Sequence, residues 1–310
     1  LYAPTVLGLR VDPKRSILVP TAHDEPAIRL GIYESVFSLP SAIAYNTGVE
    51  RGFLRERFPI SAQAEEVVGC GVDLPPHLDA TRSGPLPTGD MEEDDFANEN
   101  LTKLSRQLPG TLFRRKHRLH GPFALYGGRI DPGKGCEELI EYFGTYASQH
   151  GDATLALMGV KLMPIPQESF VRFAGMLSEH ERLEALEAAS VVVVPSPYES
   201  LSLLALEAFA VGTPVLANAR SDVLTDHCQR SNAGLYYADC KEFVECLHLL
   251  VGDPELRDAM GQNGRRYVKD NYSWKTIIAK YESLIISKIR GTGSGLLKEI
   301  VVDLDSLDSI

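Results

Sequence analysis

A glycine-rich segment with two cations, running from Gly127 to Gly135, is the first stretch of the chain that suits an anion. It lies between a predicted strand and a predicted helix. Glycines such as Gly128 let the backbone approach a ligand, and a helix start offers unpaired N–H groups. Arg129 and Lys134 add two positive charges, so the segment suits a diphosphate. A tight turn with two solvated cations explains the same residues, and neither a Walker A loop nor a Gly-x-Gly-x-x-Gly fingerprint is present.

Two glutamates, Glu199 and Glu207, form a second candidate site. Glu199 follows the predicted strand 191–194, at the strand end where open α/β sheets bind ligands. Glu207 lies about two helical turns further on, so the two carboxylates are expected on one side. A carboxylate can accept both hydrogen bonds of a ribose diol. A solvated helix charge is the alternative for Glu207, but its neighbours at 203–210 are almost all apolar, which favours a specific partner.

The composition of the chain excludes several functions for these candidate sites. The chain has 310 residues, of which 44% are hydrophobic and 24% charged, as in a globular protein of about two domains. Its net charge of −11 argues against a general nucleic-acid binder, so no nucleic-acid partner is expected. No uncharged apolar run has the ~18 residues of a membrane span. The five cysteines show no zinc-ligand or disulfide spacing, which predicts free thiols in a cytoplasmic protein without a metal site.

Two stretches of alternating strands and helices must position these residues. The first has predicted strands at 16–20, 41–46 and 66–72, with helices at 27–37 and 49–58. This βαβαβ pattern is typical of a parallel sheet, and it stops after three strands.

The second alternation begins at Phe123 and is longer. Its predicted strands are 123–126, 154–158, 171–173, 191–194, 214–217 and 234–237. Its predicted helices are 136–148, 178–189, 203–210, 241–250 and 253–268, and a closing helix follows at 273–289. The pattern indicates a nearly complete doubly wound sheet. We therefore expect an α/β protein with two Rossmann-like doubly wound domains, the first of them incomplete.

The expected domains are a partial N-terminal domain at 1–74, a linker with an acidic insertion at 75–121, the main Rossmann-like domain at 122–272, and a closing helix with a polar tail at 273–310. The linker ends in a basic cluster, which is Arg114, Arg115, Lys116 and Arg118. We expect this cluster to form a solvated face of the linker. Weak contact with an anionic membrane surface or with nucleic acid is the alternative.

Together the two motifs resemble those of a retaining GT-B glycosyltransferase of the group 1, or family 4, type. That family has a Gly-Gly-Arg…Lys-Gly loop, then a Glu-x7-Glu pair followed by an Ala-x-x-x-Gly-x-Pro-Val turn, which here runs from Ala208 to Val215. The resemblance covers about half of the chain, 123–274. The N-terminal third resembles the acceptor domain more weakly and apparently lacks its first part, including a glycine-rich turn.

The resemblance implies a role for each residue of the first motif. Arg129 and Lys134, beside Gly128, would hold the diphosphate of the sugar donor and stabilise the leaving group. The backbone amides of Leu203 and Leu204 would approach the phosphates. No metal or other cofactor is expected, since the two cations would neutralise the charge.

The remaining roles also follow from the resemblance. Glu207 would hold the ribose, and Glu199 would contact hydroxyls of the donor sugar. His23 would line the acceptor side of the sugar, although on its own it more often indicates a structural histidine. Residues 173–176 would form a wall for the nucleobase. The family's glycine three positions after the first glutamate is replaced by Ser202, which narrows the expected phosphate approach.

The implied activity is hexosyl transfer from a UDP- or GDP-linked sugar to a hydroxyl of an unidentified sugar, lipid or small-molecule acceptor, with retention of anomeric configuration. Two alternatives stay open. One is a nucleotide-sugar-binding fragment without turnover, because the acceptor domain is incomplete. The other is a GT-B-fold sugar-nucleotide epimerase, for which we find no further acid or base residues.

Overall fold

The computed structural model describes residues 3–73 and 110–291 of the chain. These residues form two compact units. Within the described part, the first unit contains residues 3–71, 198–201 and 271–291, and the second contains 72–73, 110–197 and 202–270. Most of the predicted acidic insertion and polar tail lies outside the described residues.

The first unit is built on a three-stranded parallel sheet in the order β1-β2-β3. Its elements are α1 (Ala3–Gly8), β1 (Ile17–Leu18), α2 (Ile32–Ser38), β2 (Ala42–Tyr45), α3 (Gly48–Arg57), β3 (Ala64–Val67) and, from the end of the chain, α11 (Trp274–Gly291). All four residues of the central strand β2 are buried. This fits its continuous Ala-Ile-Ala-Tyr run, because the centre of a parallel sheet is covered on both faces.

The predicted helix 27–37 is wrong in its first half. The chain instead forms a 3-10 turn at Pro26–Arg29 and begins α2 only at Ile32. Of the two residues between them, Leu30 has an extended conformation with ψ of 133°. The apolar periodicity continues through this break, and the pattern therefore conceals it.

The second unit carries a six-stranded parallel sheet. Its elements are α4 (Thr111–His117), β4 (Phe123–Gly127), α5 (Cys136–Gln149), β5 (Thr154–Met158), β6 (Val171–Gly175), α6 (Glu179–Ala188), β7 (Val191–Val194), α7 (Leu203–Val211), β8 (Val215–Asn218), α8 (Asp222–Ser231), β9 (Gly234–Tyr237), α9 (Cys240–Gly252) and most of α10 (Pro254–Tyr272). Its strand order is β6-β5-β4-β7-β8-β9. This is the Rossmann order, in which the winding direction reverses between β4 and β7.

The predicted α/β class with two Rossmann-like parallel sheets is confirmed. All nine strands predicted within the described residues are present, with ends that differ by a few residues. Helices α1, α4 and α8 are not among those predicted. None of the described helices is both long and apolar enough to cross a bilayer.

Helix α4 corrects the interpretation of the basic cluster as a solvated face for one member, Arg114, whereas Arg115, Lys116 and Arg118 are exposed as predicted. The guanidinium of Arg114 donates hydrogen bonds to the carbonyl oxygens of Ala188, at 2.6 Å, and Gly121, at 2.8 Å. It also lies 4.8 Å from the ring centroid of Phe123, and burial lowers its pKa. Beside it, Phe113 is buried. Arg114 therefore holds α4 against the chain at the end of α6 and before β4.

Gly159, just after β5, permits a close backbone contact. It has a φ of +122°, and a Cβ at this position would lie 1.9 Å from the carbonyl oxygen of Gly128. No side chain fits there without moving backbone. The glycine therefore allows the chain after β5 to lie against the loop that follows β4.

We expect Gly159→Ala to lower the free energy of unfolding by about 3 kcal/mol, because the methyl group meets backbone and the φ is unfavourable for alanine. The matched control is Gly252→Ala in the last turn of α9, where a Cβ has open space. The control should change stability by less than about 1 kcal/mol. Urea denaturation of both variants tests this, and equal effects would contradict the contact.

Candidate functional site

The loops after β4 and β7 meet at the point where the strand order reverses. Open α/β sheets bind ligands outside the carboxyl ends of the strands at this point. The Nζ of Lys134, in the first loop, lies 3.5 Å from the Oγ of Ser196, in the second. A Cβ on Gly135 would lie 2.4 Å from the carbonyl oxygen of Pro195. The glycine-rich segment therefore packs directly on the chain that leaves β7.

The backbone of the glycine-rich loop is held by two side chains. The buried Tyr126 donates its hydroxyl to the carbonyl oxygen of Arg129, at 2.6 Å. Asp131 accepts from the backbone N–H of Lys134, at 2.9 Å, and its other oxygen lies 3.7 Å from the Nε of Arg129. Gly128 has a φ of +139°, which favours glycine. The loop thus has a defined shape, with the Arg129 side chain 65% exposed.

The start of α7 lies beside this loop. A Cβ on Gly127 would lie 3.1 Å from the Cδ1 of Leu204, so the first turn of α7 packs on the end of β4. Leu203 is the first residue of the helix and is about half exposed. The first amides of a helix have no partner within it and mark the positive end of its dipole. The structure therefore brings Leu203 and Leu204 to the predicted phosphate loop.

Glu207 forms an ion pair with Arg182, which projects from α6. The Glu207 side chain is 19% exposed, which argues against a solvated helix charge. The partner that its apolar surroundings require is thus present within the chain. A ribose bound by Glu207 would share the carboxylate with this guanidinium.

Glu199 lies in the loop between β7 and α7, as its sequence position predicts. Helix α7 begins only at Leu203, and Ser202 before it has a left-handed conformation with φ of +63°. The loop position of Glu199 and the helical position of Glu207 are as predicted, and their placement on one side of the site stays a prediction. The segment Tyr198–Leu201, which carries Glu199, belongs to the first unit.

His23 lies in the first unit and packs against that same segment. Its ring stacks on Tyr198, with centroids 5.6 Å apart and an interplanar angle of 22°. Its Nε2 is 3.5 Å from a carboxylate oxygen of Glu25. Its Nδ1 is buried and has no hydrogen-bond partner among the described residues. The structure thus brings His23 next to the residue that precedes Glu199.

Glu50 is a residue of this region that the sequence analysis misses. It is 2% exposed, and its two oxygens accept from the backbone amides of Ala22, at 2.5 Å, and Asn46, at 2.6 Å. Burial raises its pKa to about 7. The pattern Thr47-x-x-Glu50 is a capping-box signal for the start of α3, but the bond to Ala22 spans 28 residues and leaves no local pattern.

A polar network after β8 also escapes sequence reasoning. Asn218 donates to the carbonyl oxygen of Pro195, at 2.9 Å, and lies 3.4 Å from a carboxylate oxygen of Glu138. Arg220 pairs with the same carboxylate. These contacts tie the ends of β7 and β8 to α5, and they support the loop that packs on Lys134 and Gly135.

Exposed side chains at the end of β6 fit the predicted nucleobase wall. Phe173 is 44% exposed and Met176 is 72% exposed. Within residues 3–73 and 110–291, no three His, Cys, Asp or Glu side chains lie together as metal ligands would.

The fold defines a class of doubly wound α/β protein in which the predicted phosphate loop lies at the switch point. Residues 111–267, about half of the chain, match the family model described as glycosyl transferases group 1. The chain belongs to this family, as its motifs predict.

Two curated relatives and one solved structure describe the similarity. The D-inositol 3-phosphate glycosyltransferase of Jonesia denitrificans is 25% identical over 304 residues, which covers 90% of this chain and 66% of the relative. A GDP-mannose-dependent mannosyltransferase acting on a phosphatidylinositol monomannoside, from Corynebacterium glutamicum, is 25% identical over 183 residues, covering 54% of this chain and 48% of the relative. Anabaena HepE in complex with UDP has a TM-score of 0.66 at 14% identity, covering 91% of this chain and 75% of HepE.

The fold is therefore that of GT-B glycosyltransferases. The chain spans about half to two thirds of the length of the curated relatives that it matches.

Ser202 carries a conformation that favours glycine, and within the described chain its hydroxyl makes no capping bond to α7. We expect Ser202→Gly to raise the free energy of unfolding by about 1 kcal/mol by relieving this strain. The control is Ser221→Ala, which removes a real cap, since the Ser221 hydroxyl accepts from the amide of Leu224. It should lower stability by about 1 kcal/mol. A loss of stability in Ser202→Gly would contradict the assignment of strain.

Proposed function

We propose that this chain transfers a hexosyl group from a UDP- or GDP-linked sugar to a hydroxyl acceptor, with retention of anomeric configuration. The observation that carries the proposal is the convergence of the glycine-rich loop, Lys134 and the start of α7 at one strand end. Two cations and one helix N-terminus there suit a diphosphate leaving group better than any neutral ligand.

The proposed mechanism rests on charge stabilisation. As the bond between the sugar and the diphosphate breaks, negative charge grows on the diphosphate oxygens. Arg129 and Lys134 would stabilise that charge, and the amides of Leu203 and Leu204 would donate to the same oxygens. Glu207 would hold the ribose hydroxyls together with Arg182, and this hold would fix the nucleotide before the reaction.

His23 and Glu199 are proposed for the sugar itself. Both lie in the first unit, in segments joined by the stacking of His23 on Tyr198. Glu199 would contact hydroxyls of the transferred sugar, and His23 would line its acceptor side. The acceptor is a sugar, lipid or small molecule with a free hydroxyl.

The names of the relatives support a nucleotide-linked donor. One is GDP-mannose-dependent, and one solved neighbour holds UDP. We place the reaction in the cytoplasm, which agrees with five free cysteines in the chain. Weak contact with an anionic membrane surface stays a prediction, and no nucleic-acid partner is proposed.

Glu207→Ala should weaken the binding of UDP or GDP by about 1–3 kcal/mol, because it removes the acceptor for two ribose hydroxyls. Glu199→Ala should leave the free nucleotide nearly unaffected and weaken the nucleotide sugar. Titration calorimetry with UDP, GDP, UDP-glucose and GDP-mannose measures both. Glu245→Ala, an exposed position on α9, is the matched control. Equal losses for nucleotide and nucleotide sugar in Glu199→Ala would contradict its role.

Nucleotide binding should not need a divalent cation, because Arg129 and Lys134 supply the positive charge. Protein stripped with EDTA is expected to bind UDP or GDP with the affinity measured in the presence of magnesium. Arg129→Gln and Lys134→Gln should each weaken binding under both conditions. If EDTA abolishes binding to the unmodified chain, the charge argument is wrong.

A further inference from the structure

The turn that leads into His23 has a strained backbone. Thr21 has a φ of +48°, in the left-handed region that β-branched residues rarely adopt. Its hydroxyl donates to the carbonyl oxygen of Pro20, at 2.7 Å, which is a local bond that cannot tie the turn to the sheet. Strained residues persist only where surrounding contacts hold them, and they concentrate at functional sites.

The contact that holds this turn comes from Glu50. One carboxylate oxygen accepts from the amide of Ala22, directly after the strained Thr21, and the other accepts from the amide of Asn46, directly after β2. The carboxylate thus links the turn to the end of the central strand. In the part of the chain that the structure describes, no cation forms an ion pair with Glu50, so the two amides are its electrostatic partners.

Capping of α3 alone does not account for this arrangement. The side chain at the third position of a helix normally reaches back to the amide at its own N-terminus. One Glu50 oxygen instead accepts from the amide of Asn46, the residue before the cap Thr47. The second oxygen is used 28 residues away, at a turn that belongs to no helix.

The two hydrogen bonds of Glu50, here called the Glu50 clamp, position the backbone just before His23. His23 follows Ala22, so the position of its Cα depends on the amide that Glu50 holds. Its buried Nδ1 lacks a partner among the described residues, and its ring has one face on Tyr198. The ring also approaches Glu25, whose carboxylate oxygen lies 3.5 Å from its Nε2. The backbone position of His23 sets where this ring starts from its Cα.

We propose that Glu50 is a positioning residue for His23, holding the strained turn at Thr21–Ala22 to the end of β2 so that the imidazole stands in one place. This inference rests on the proposed function insofar as it gives His23 a role on the acceptor side of the sugar. Glu50 touches no substrate in this role and acts only through the backbone.

The kinetic test is a double-mutant cycle on the full chain. Glu50→Gln keeps the size of the side chain but retains only one acceptor oxygen. This substitution should lower the rate of sugar release from UDP-glucose or GDP-mannose by about 100-fold, because a small displacement of the His23 ring is enough to cause such a loss. The affinity for the nucleotide should not change. In the His23→Ala background the same substitution should have almost no further effect. A full additional loss in that background would overturn the proposal. Glu56→Gln, exposed on the same helix, is the matched control.

A second measurement does not depend on turnover. The His23 ring signal in a proton–carbon NMR spectrum is identified by its absence in His23→Ala. It should shift in Glu50→Gln, stay in place in Glu56→Gln, and shift less in Glu50→Asp, which keeps the charge and also serves if Glu50→Gln is unfolded. An unchanged His23 signal in folded Glu50 variants would overturn the proposal. Absence of nucleotide binding and sugar release in the unmodified chain would instead overturn the proposed function, and the NMR result would still decide the role of Glu50.

Discussion

The pairing of β4 with β7 is the constraint on which the proposed diphosphate site depends. Both strands run in the same direction and end at the same edge, but the chain winds away from them in opposite directions. A crevice must open between the two loops that follow. The glycine-rich loop after β4 and the chain after β7 meet in that crevice, where Lys134 contacts Ser196. The start of α7 reaches the same place because Leu204 in its first turn packs on the end of β4.

Strand positions in the second unit follow from the sequence because the strands are continuous apolar runs between turn residues. The four valines of β7, all buried, are the clearest case. Patterns failed where a contact far along the chain decides the local structure. Helix α4 is stabilised by Arg114, whose partner Ala188 lies 74 residues away. The sequence around the basic cluster gives no information about that bond.

In the candidate site, too, the sequence predicts features with a local signal and misses contacts between residues far apart in the chain. The glycine-rich loop is a local signal, since glycines, cations and a helix start follow one another in the chain. The ion pair of Glu207 with Arg182 and the bond of Glu50 to Ala22 join residues that no spacing rule relates. The apolar neighbours of Glu207 did predict that it needs a partner, but they did not identify it. The left-handed conformation of Ser202, just before α7, likewise has no local signal in the sequence.

The burial of Glu50 makes the stability of the first unit depend on pH. Its pKa of about 7, against an ordinary value of 4.5, means that folding takes up a proton between these pH values. The stability that this group contributes is complete below pH 4.5 and falls by about 3 kcal/mol as pH rises through 7. The two hydrogen bonds that Glu50 accepts have the opposite pH dependence. When the carboxyl is protonated, its O–H faces one of the two backbone amides, and two donors cannot form a hydrogen bond. Through Glu50 alone, a lower pH stabilises the fold while loosening the turn before His23, and a higher pH tightens that turn at a cost in stability.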